Sequence, residues 1–309
     1  GREDVTVRAI VNAAGPWVAD VLATTDAKPS NASVRHVKGS HIVVPRVHAE
    51  EHAYILQNSD KRIVFVIPYQ ERYSLIGTTD VPVDEYDAPR ISDDETDYLI
   101  ALANAYLETP ISRADVVWSY SGVRPLYDDG TSDPSAVTRD YVLKVDALDG
   151  PAGQDRAPVL SIYGGKITTY RKLAEAALAE LAPHFPAMKP AWTATEALPG
   201  GDLPGGDRAA FLAALCASYP GIGVDVLRSI ARRHGTLAAQ VLGDARAPSD
   251  LGEDFGAALT AREIDWMIGR EWARTGDDVL WRRTKCGLPM TAAQRARVAE
   301  YVSSVVARA

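Results

Sequence analysis

Arg124 is held in a setting that could fix a charged group in place. It lies in SGVRPL (121–126), after a predicted strand that ends in glycine and before Pro125, which restricts the local backbone. A guanidinium held in this way can grip a phosphate or a carboxylate through two parallel hydrogen bonds. The pattern therefore makes Arg124 a candidate anion-binding residue, with an ordinary surface salt bridge as the alternative.

Lys166 is the second candidate cation, in GGKITTYRKLAE (164–175). Here a predicted buried strand is followed by two glycines, the lysine, two threonines and a predicted helix. Backbone N–H groups, a cation and hydroxyls converge on one helix N-terminus, and this combination favours anionic or electron-rich oxygen atoms. We interpret the segment as functional.

His41 is the candidate general base. It stands at the start of a predicted strand, HIVVPR (41–46), two residues after Gly39. The pKa of histidine lies near neutrality, so a histidine at such a position can take up a proton from a reacting hydroxyl. A single histidine is also common as a structural or simply exposed residue, and that interpretation stays open.

A turn of small residues follows the first apolar run, in VRAIVNAAGPWVADVL (7–22). Small residues let a backbone approach a ligand closely, and Pro16 suits the first position of the helix that follows. A tight strand-to-helix turn in any α/β protein would give the same pattern. The turn consists of Ala14, Gly15, Pro16 and Trp17.

No dinucleotide fingerprint occurs in the 309 residues. Gly221, Ile222 and Gly223 begin something similar, but Val226 stands where the third glycine belongs, and no predicted strand precedes them. We interpret this segment as a connection between two helices.

The elements that position these residues change in type along the chain. The first two thirds contain short runs rich in β-branched and aromatic residues, bounded by Pro, Gly and Asp, which indicates a mainly antiparallel sheet. Two helices are predicted between them, one at 92–107 with a serine cap and an acidic first turn, and one at about 168–181. The predicted strands of this sheet region are 41–46, 61–69, 72–80, 115–123, 140–145 and 158–165.

The last third of the chain is helical in pattern. The segment PGGDLPGG (199–206) carries two Pro and four Gly, which prevents regular structure and marks a boundary. We therefore predict two domains, 1–198 and 199–309. Helices are predicted near 207–218, 224–243, 260–274 and 291–307.

Composition limits the classes of function. A net charge of −8 and a pI near 5.3 argue against nucleic acid as the main partner, so an anionic substrate would need a locally basic pocket. Cys216 and Cys286 are far apart and belong to no CxxC pair or His/Cys cluster, which argues against a disulfide framework and against a zinc site. With no apolar run long enough to span a bilayer, the expected compartment is cytoplasmic. Residues 5–12 follow a first residue that is not Met and are predicted to form a buried strand, as in a chain cut within a domain.

Several segments together closely resemble the FAD-dependent, respiratory glycerol-3-phosphate dehydrogenases of bacteria. The resemblance runs in the family's order over nearly the whole chain, so no single motif carries it. In the first two thirds it rests on KGSHIVVPR (38–46), RIVFVIPY (62–69), IGTTD (76–80), SGVRPL (121–126) and GGKITTYRKLAE (164–175). In the helical third it rests on SDLGEDFG (249–256) and DDVLWRRTKCG (277–287).

The resemblance implies an α/β (α+β) fold in which the remainder of a flavin-binding domain carries a mainly antiparallel substrate-binding sheet, followed by a C-terminal all-helical domain. It implies oxidation of sn-glycerol 3-phosphate to dihydroxyacetone phosphate, with FAD as hydride acceptor and a membrane quinone as electron acceptor. It also implies an enzyme peripheral on the inner face of the cytoplasmic membrane, and it leaves a homodimer open.

The resemblance assigns roles to individual residues. Arg124 matches the family's clamp for phosphate or alkoxide, Lys166 an electrostatic partner beside substrate and flavin, and His41 a histidine near the reacting carbon. Thr78, Thr79 and Asp80 match a further motif, although an aspartate after two threonines is also a common turn device. The residues expected to border the flavin are Ala14, Gly15, Pro16, Trp17, Gly165, Lys166, Ile167, Thr168 and Thr169.

The family's N-terminal βαβ unit, with its glycine-rich turn for the ADP half of FAD, is missing from this sequence. We therefore expect the 309-residue chain alone to hold FAD weakly and to be an inactive fragment. Three alternatives remain open: an oxygen-dependent glycerophosphate oxidase, another FAD-dependent amine or hydroxyacid oxidase, and a non-catalytic interaction module. In the last, the basic cluster of Arg282, Arg283 and Lys285 would dock a partner or an anionic lipid, unless it is a solvated helix face.

Overall fold

The computed structural model describes residues 3–25, 33–58, 60–128, 140–147 and 157–308. The chain divides into two compact units, Gly1–Ala194 and Thr195–Ala309. Among these described residues, the strands and three α-helices lie in the first unit. The second unit is helical.

The first unit opens with a short strand and helix and then builds a sheet around one long strand. Its elements are β1 (Ile10–Asn12), α1 (Val18–Ala23), β2 (Ser33–Pro45), β3 (Tyr54–Gln57), β4 (Ile63–Tyr69), β5 (Tyr73–Gly77), β6 (Val81–Pro82), α2 (Asp93–Asn104), β7 (Trp118–Asp128), β8 (Tyr141–Ala147), β9 (Pro158–Gly164) and α3 (Tyr170–Leu181). Short 3-10 helices at Gly15–Trp17 and Ile167–Thr169 precede α1 and α3.

The larger sheet has six strands and is antiparallel throughout. Four strands follow the order β3-β4-β5-β2, β6 pairs with β2, and β7 also pairs with β2 along Ser33–Val43. A smaller sheet has the order β1-β9-β8, with β1 and β9 parallel and β8 antiparallel to β9. The predicted combination of a mainly antiparallel sheet with a C-terminal helical region is confirmed.

Helix α2 covers one face of the six-stranded sheet. Ser92 caps it, its side chain accepting a hydrogen bond from Glu95 N at 3.2 Å, while Glu95 accepts from Ser92 N at 2.9 Å. Apolar side chains at every second strand position meet the apolar stripe of the helix. The buried members of this cluster are Ile42, Val44, Leu56, Val64, Val66, Ile76, Leu99, Ile100, Leu102 and Ala103.

Leu99 tests how much this layer contributes to stability. Its side chain is 0% exposed, so Leu99→Ala leaves a cavity between α2 and the sheet. We expect the free energy of unfolding of the first unit to fall by about 2–5 kcal/mol, measured by denaturant unfolding. Leu178→Ala on α3 is the matched control, because Leu178 is half exposed, and an equal loss from both variants would contradict the packing described here.

The second unit consists of α4 (Arg208–Ser218), α5 (Val224–His234), α6 (Ala238–Leu242), α7 (Ala261–Arg270), a π-helix (Asp278–Arg283) and α8 (Ala292–Val306). The segment 221–223 connects α4 to α5, as predicted. Within the described ranges, no helix has both the length and the apolar character needed to cross a membrane.

The predicted helix at 224–243 is wrong in its extent. Gly235 adopts a φ of +56° and lies against Gly200, where a Cβ would stand 1.9 Å from the Gly200 oxygen. This left-handed residue ends α5 at His234, and α6 begins only at Ala238.

The predicted buried strand over 5–12 is also wrong. Only Ile10–Asn12 forms a strand, and Val5, Val7 and Val11 are exposed. Strand β1 is the edge of the smaller sheet, so within the part of the chain that is described it has a partner strand on one side alone.

Candidate functional site

The face of the six-stranded sheet opposite α2 brings His41 and Arg124 together. Side chains alternate along a strand, so Gly39 and His41 of β2 point away from Ser40 and Ile42, which face α2. On the neighbouring strand, Arg124 pairs with Val37 and Tyr120 pairs with His41. The register therefore places the candidate clamp and the candidate base on one surface, four residue pairs apart along β2 and β7.

Two local predictions about these residues are wrong. His41 does not open a strand but lies well inside the 13-residue β2, and Arg124 does not follow a strand but belongs to β7, which continues through Gly122 and Pro125 to Asp128. Both residues therefore lie within paired stretches of strand, which is a more rigid setting than a strand end.

The Arg124 guanidinium rests on the backbone of Gly39. An ideal Cβ on Gly39 would stand 2.4 Å from Arg124 Nη2, so only glycine leaves room for it. Arg124 Nη1 donates to Asp80 Oδ1 at 2.6 Å and to the carbonyl oxygen of Thr79 at 3.4 Å, and Nη2 donates to Thr78 Oγ1 at 3.0 Å. The sequence left open whether the segment 78–80 is part of a site or only a turn. In the structure this segment holds the guanidinium in place, and we call it the cradle of Arg124.

His41 lies beside this cradle with its ring fixed from two sides. It stacks on Tyr120 with ring centroids 4.9 Å apart and an interplanar angle of 7°, and it occupies the space over Gly77, its partner in β5. Burial, with the neighbouring Arg124 charge, lowers the pKa of His41 to about 4. The imidazole is therefore neutral at pH 7 and able to accept a proton, and its buried Nδ1 has no hydrogen-bond partner among the described residues.

Gly77 provides a direct test of the His41 position. A Cβ on Gly77 would stand 2.2 Å from His41 Cδ2, so in Gly77→Ala the ring must leave its place over the strand. We expect the pKa of His41 to rise from about 4 towards the ordinary value of 6.5, because the ring loses its burial. Proton NMR titration of the histidine ring measures this shift.

Gly122→Ala is the matched control for that experiment. Gly122 lies in the same sheet, pairs with Gly39, and has no atom of the described structure within 4 Å of its ideal Cβ. A His41 pKa that stays near 4 in Gly77→Ala, or moves equally in both variants, would contradict the described position of the ring.

The turn at 14–17 lies beside the same pair of strands. Gly15 has a φ of +59°, and the Pro16 carbonyl oxygen is 2.9 Å from His36 Nε2, on the β2 residue that pairs with Pro125. Trp17 Nε1 donates to Asp87 Oδ1 at 2.6 Å. The turn is therefore held next to the strand pair that carries Arg124.

The segment 164–169 reaches the same neighbourhood from β9. Gly164 and Gly165 have φ values of +72° and +96°, and an ideal Cβ on Gly164 would stand 3.5 Å from the Pro125 oxygen. Lys166 occupies the N-cap position of the 3-10 helix Ile167–Thr169, and its carbonyl oxygen accepts hydrogen bonds from Thr169 N and Oγ1, each at 2.9 Å. Residues 165–168 are exposed, Ile167 to 89%.

The outcome for the predicted residues is therefore uneven. His41 and Arg124 share one surface with Thr78–Asp80, and the turn 14–17 and the end of β9 lie at the strand pair that bears Arg124. The Lys166 ammonium makes no hydrogen bond or ion pair with any described residue.

Sequence reasoning missed a buried polar group on the α2 side of the sheet. Glu95 accepts hydrogen bonds from Ser40 Oγ at 2.8 Å and Thr79 Oγ1 at 2.7 Å and forms an ion pair with Lys38 at 2.9 Å. The capping pattern that starts at Ser92 identifies Glu95 as a cap residue, but a local pattern contains no signal for contacts 16 and 55 residues away.

Comparison with known proteins gives two family matches. A family described as FAD dependent oxidoreductase matches residues 1–145, and one described as the C-terminal domain of alpha-glycerophosphate oxidase matches residues 191–309. The matches follow the chain in order and together include His41, Arg124 and the helical unit.

Curated and solved relatives agree with these matches. The chain is 47% identical over 299 residues to the aerobic glycerol-3-phosphate dehydrogenase of Escherichia coli, covering 96% of this chain and 58% of that protein. It is 42% identical to D-erythritol 1-phosphate dehydrogenase of Brucella abortus, covering 95% of this chain and 58% of that protein. The crystal structure of the glycerol-3-phosphate dehydrogenase from Bacillus halodurans complexed with FAD matches with a TM-score of 0.74 and 25% identity, covering 99% of this chain and 63% of that one. The chain thus spans little more than half the length of these curated relatives.

Proposed function

The chain belongs to the family of FAD-dependent glycerol-3-phosphate dehydrogenases. We therefore propose that the protein containing this chain oxidises sn-glycerol 3-phosphate to dihydroxyacetone phosphate, with FAD as the hydride acceptor. The observation that carries this proposal is the single sheet surface that holds a fixed guanidinium beside a neutral, half-buried imidazole. We assign this chemistry to residues 1–198 and treat 199–309 as the helical domain.

Oxidation at C2 requires two departures, the hydride from carbon and the proton from its hydroxyl. His41 is neutral at pH 7, because burial and Arg124 hold its pKa near 4, so its ring has a lone pair that can accept the proton. The low pKa makes this imidazole a weaker base than a free histidine side chain. Arg124 stabilises the negative charge that develops on the C2 oxygen or holds the phosphate, as a guanidinium fixed in advance is able to do. Lys166 adds a second positive charge at the end of β9.

The residues proposed to border FAD lie in two turns, 14–17 and 165–169, each of which contains a glycine with a positive φ. Gly15 has no atom of the described structure within 4 Å of its ideal Cβ, and Gly165 keeps the backbone bare before the exposed residues 166–168. Trp17 is partly exposed at the same turn. The residues in these two turns would bind the cofactor through backbone groups, while the flavin itself supplies the redox chemistry.

The proposal extends to acceptor and location. We propose a quinone as the electron acceptor, a peripheral position on the inner face of the cytoplasmic membrane, and association as a homodimer. An oxygen-dependent glycerophosphate oxidase is the second candidate, supported by the family match of residues 191–309. Hydrogen peroxide formation compared with quinone reduction separates the two acceptors, and sedimentation tests the dimer.

The interaction-module alternative receives less support from the described residues. Arg282 and Arg283 donate to Asp278, Arg283 also donates to the Glu271 carbonyl oxygen at 2.7 Å, and Lys285 donates to the Trp281 carbonyl oxygen. These contacts stabilise the π-helix itself, so the basic cluster has a structural role that requires no partner.

The test of the proposed function is flavin reduction by glycerol 3-phosphate in the purified protein at its natural length, coupled to an electron-accepting dye. We expect turnover with glycerol 3-phosphate and slower turnover with D-erythritol 1-phosphate, the substrate named for the Brucella relative. Faster turnover with the longer polyol phosphate would change the substrate assignment. Flavin content without reduction by either compound would contradict the proposal.

A further inference from the structure

The cradle of Arg124 is anchored from the other side of the sheet. The Thr79 carbonyl oxygen accepts a hydrogen bond from Arg124 Nη1. The Thr79 backbone N–H donates to the Ser40 carbonyl oxygen at 3.3 Å, and Thr79 Oγ1 accepts from Ser40 N at 2.9 Å. The same Oγ1 donates to Glu95 Oε1 at 2.7 Å. One residue thus connects the site surface to a carboxylate below the sheet.

Glu95 is built into this position as an anion. It is 6% exposed, and both of its oxygens are occupied, Oε1 by Ser40 and Thr79 and Oε2 by Ser92 N and Lys38. Burial raises the pKa of Glu95, but the hydrogen bonds from Thr79, Lys38, Ser92 and Ser40 together lower it to about 2. A charged acceptor of this kind makes stronger hydrogen bonds than a neutral one.

The cap alone does not account for these contacts. Ser112 and Asp115 form a second capping box in the same unit, and Asp115 makes its cap contacts at the protein surface, to Ser112 N at 2.7 Å and Ser112 Oγ at 2.8 Å. Glu95 makes the same cap contact with one oxygen and directs the other at Thr79 and Ser40. The second oxygen of Glu95, Oε1, therefore takes no part in capping the helix.

We infer that Glu95 is a positioning residue for Arg124, acting through Thr79 to fix the cradle that orients the guanidinium towards the substrate. The inference rests on the proposed function for its catalytic consequence, but its structural part does not. With Nη1 and one N–H of Nη2 held by residues 78–80, the Nε–H and the second N–H of Nη2 have no partner among the described residues. These two donors are the pair left for a bidentate contact with substrate oxygens.

The kinetic experiment is a double-variant cycle in the protein at its natural length. We expect Glu95→Gln to lower kcat/KM for glycerol 3-phosphate about 10- to 100-fold, because a misplaced clamp loses that order of rate. In an Arg124→Lys background the same change should cost less than about twofold, because the group that Glu95 positions is no longer there. Equal fold-losses in both backgrounds would show a merely structural role and overturn the inference.

A second variant protects the test against simple loss of folding. Thr79→Val keeps Glu95, its cap contact and its ion pair, and removes only the hydroxyl that joins them to the cradle. It should reproduce the kinetic effect of Glu95→Gln. Asp115→Asn is the matched control, since it weakens an acidic capping box remote from Arg124 and should leave kcat/KM within about twofold.

An NMR measurement separates this inference from the proposed function. The Nε–H signal of Arg124, identified by its absence in Arg124→Lys, should shift or broaden in Glu95→Gln and in Thr79→Val but not in Asp115→Asn. An unchanged signal in the first two variants would overturn the positioning role. If the wild-type protein failed to oxidise glycerol 3-phosphate, the proposed function would fall while this signal still decided the role of Glu95.

Discussion

Arg124→Ala should lower kcat/KM for glycerol 3-phosphate about 100- to 1,000-fold, the size of loss that follows removal of one fixed donor to a developing oxyanion. The guanidinium is held before substrate arrives by Asp80, Thr78 and the Thr79 carbonyl oxygen, so its orientation costs little at the moment of reaction. Steady-state kinetics with dye reduction measures the effect.

Arg124→Lys should recover only part of that loss. A lysine keeps the positive charge but cannot donate in two parallel directions, and its ammonium would not fill the cradle over Gly39. Arg113→Ala is the matched control, because Arg113 is also paired with carboxylates, Asp93 and Asp97, but lies exposed at the α2 side. If Arg124→Lys were as active as the wild type, the bidentate role would be refuted.

Glu263→Ala should lower the free energy of unfolding of the helical unit by about 3–5 kcal/mol. Glu263 is 0% exposed and accepts from Arg233 Nε at 2.6 Å, Arg233 Nη2 at 2.7 Å and His234 Nε2 at 2.9 Å. Its removal leaves the largely buried Arg233 without a counter-charge. Denaturant unfolding followed by a probe in the helical unit measures the loss.

The pH dependence of this stability has a defined sign. Burial raises the pKa of Glu263, but His234 and Arg233 more than offset it and hold the pKa below its ordinary value of 4.5. A carboxylate whose folded pKa is lowered contributes stability above its unfolded pKa and loses it as the pH falls through the folded value. The wild-type unit should therefore weaken below about pH 4.5, and Glu263→Ala should lack this part of the acid transition.

Asp244→Ala is the control for both measurements. Asp244 pairs with Arg262 at 2.9 Å in the same unit, but its side chain is almost fully exposed, so its removal should leave the free energy of unfolding nearly unchanged. A Glu263→Ala loss no larger than this would mean that the buried cluster does not stabilise the helical unit.

The elements with a strong local pattern were predictable from the sequence. Helix α2 shows its Ser92 cap, acidic first turn and apolar stripe, and the segments around Arg124 and His41 fall on strands. The extent of β2 was not predictable, because its first half, SVRHVKGS, alternates polar and apolar residues too weakly to reveal a strand that pairs on both edges.

Contacts between residues far apart in the sequence were the other feature that could not be predicted. The cradle of Arg124 depends on an arginine, a glycine and the 78–80 segment that lie on three different strands or loops, and Glu95 reaches it through a hydroxyl. Only the strand register brings them together, and no spacing in the sequence encodes it. The end of α5 at Gly235, in contrast, was predictable from the sequence. A glycine after a basic last turn is a recognised helix stop signal, and the predicted helix at 224–243 did not take it into account.

Strand β2 supplies both faces of its sheet, with Ser40 and Ile42 directed to α2 and Gly39 and His41 to the opposite side. Insertion of one residue in β2 before His41 would turn the residues that follow it to the opposite faces. The imidazole would then be buried under α2, and apolar side chains would be exposed in its place. An insertion of two residues would preserve the faces. Length variation within natural or engineered versions of this strand should therefore occur in even steps or be displaced into the 46–53 loop, where no pairing partner fixes the count.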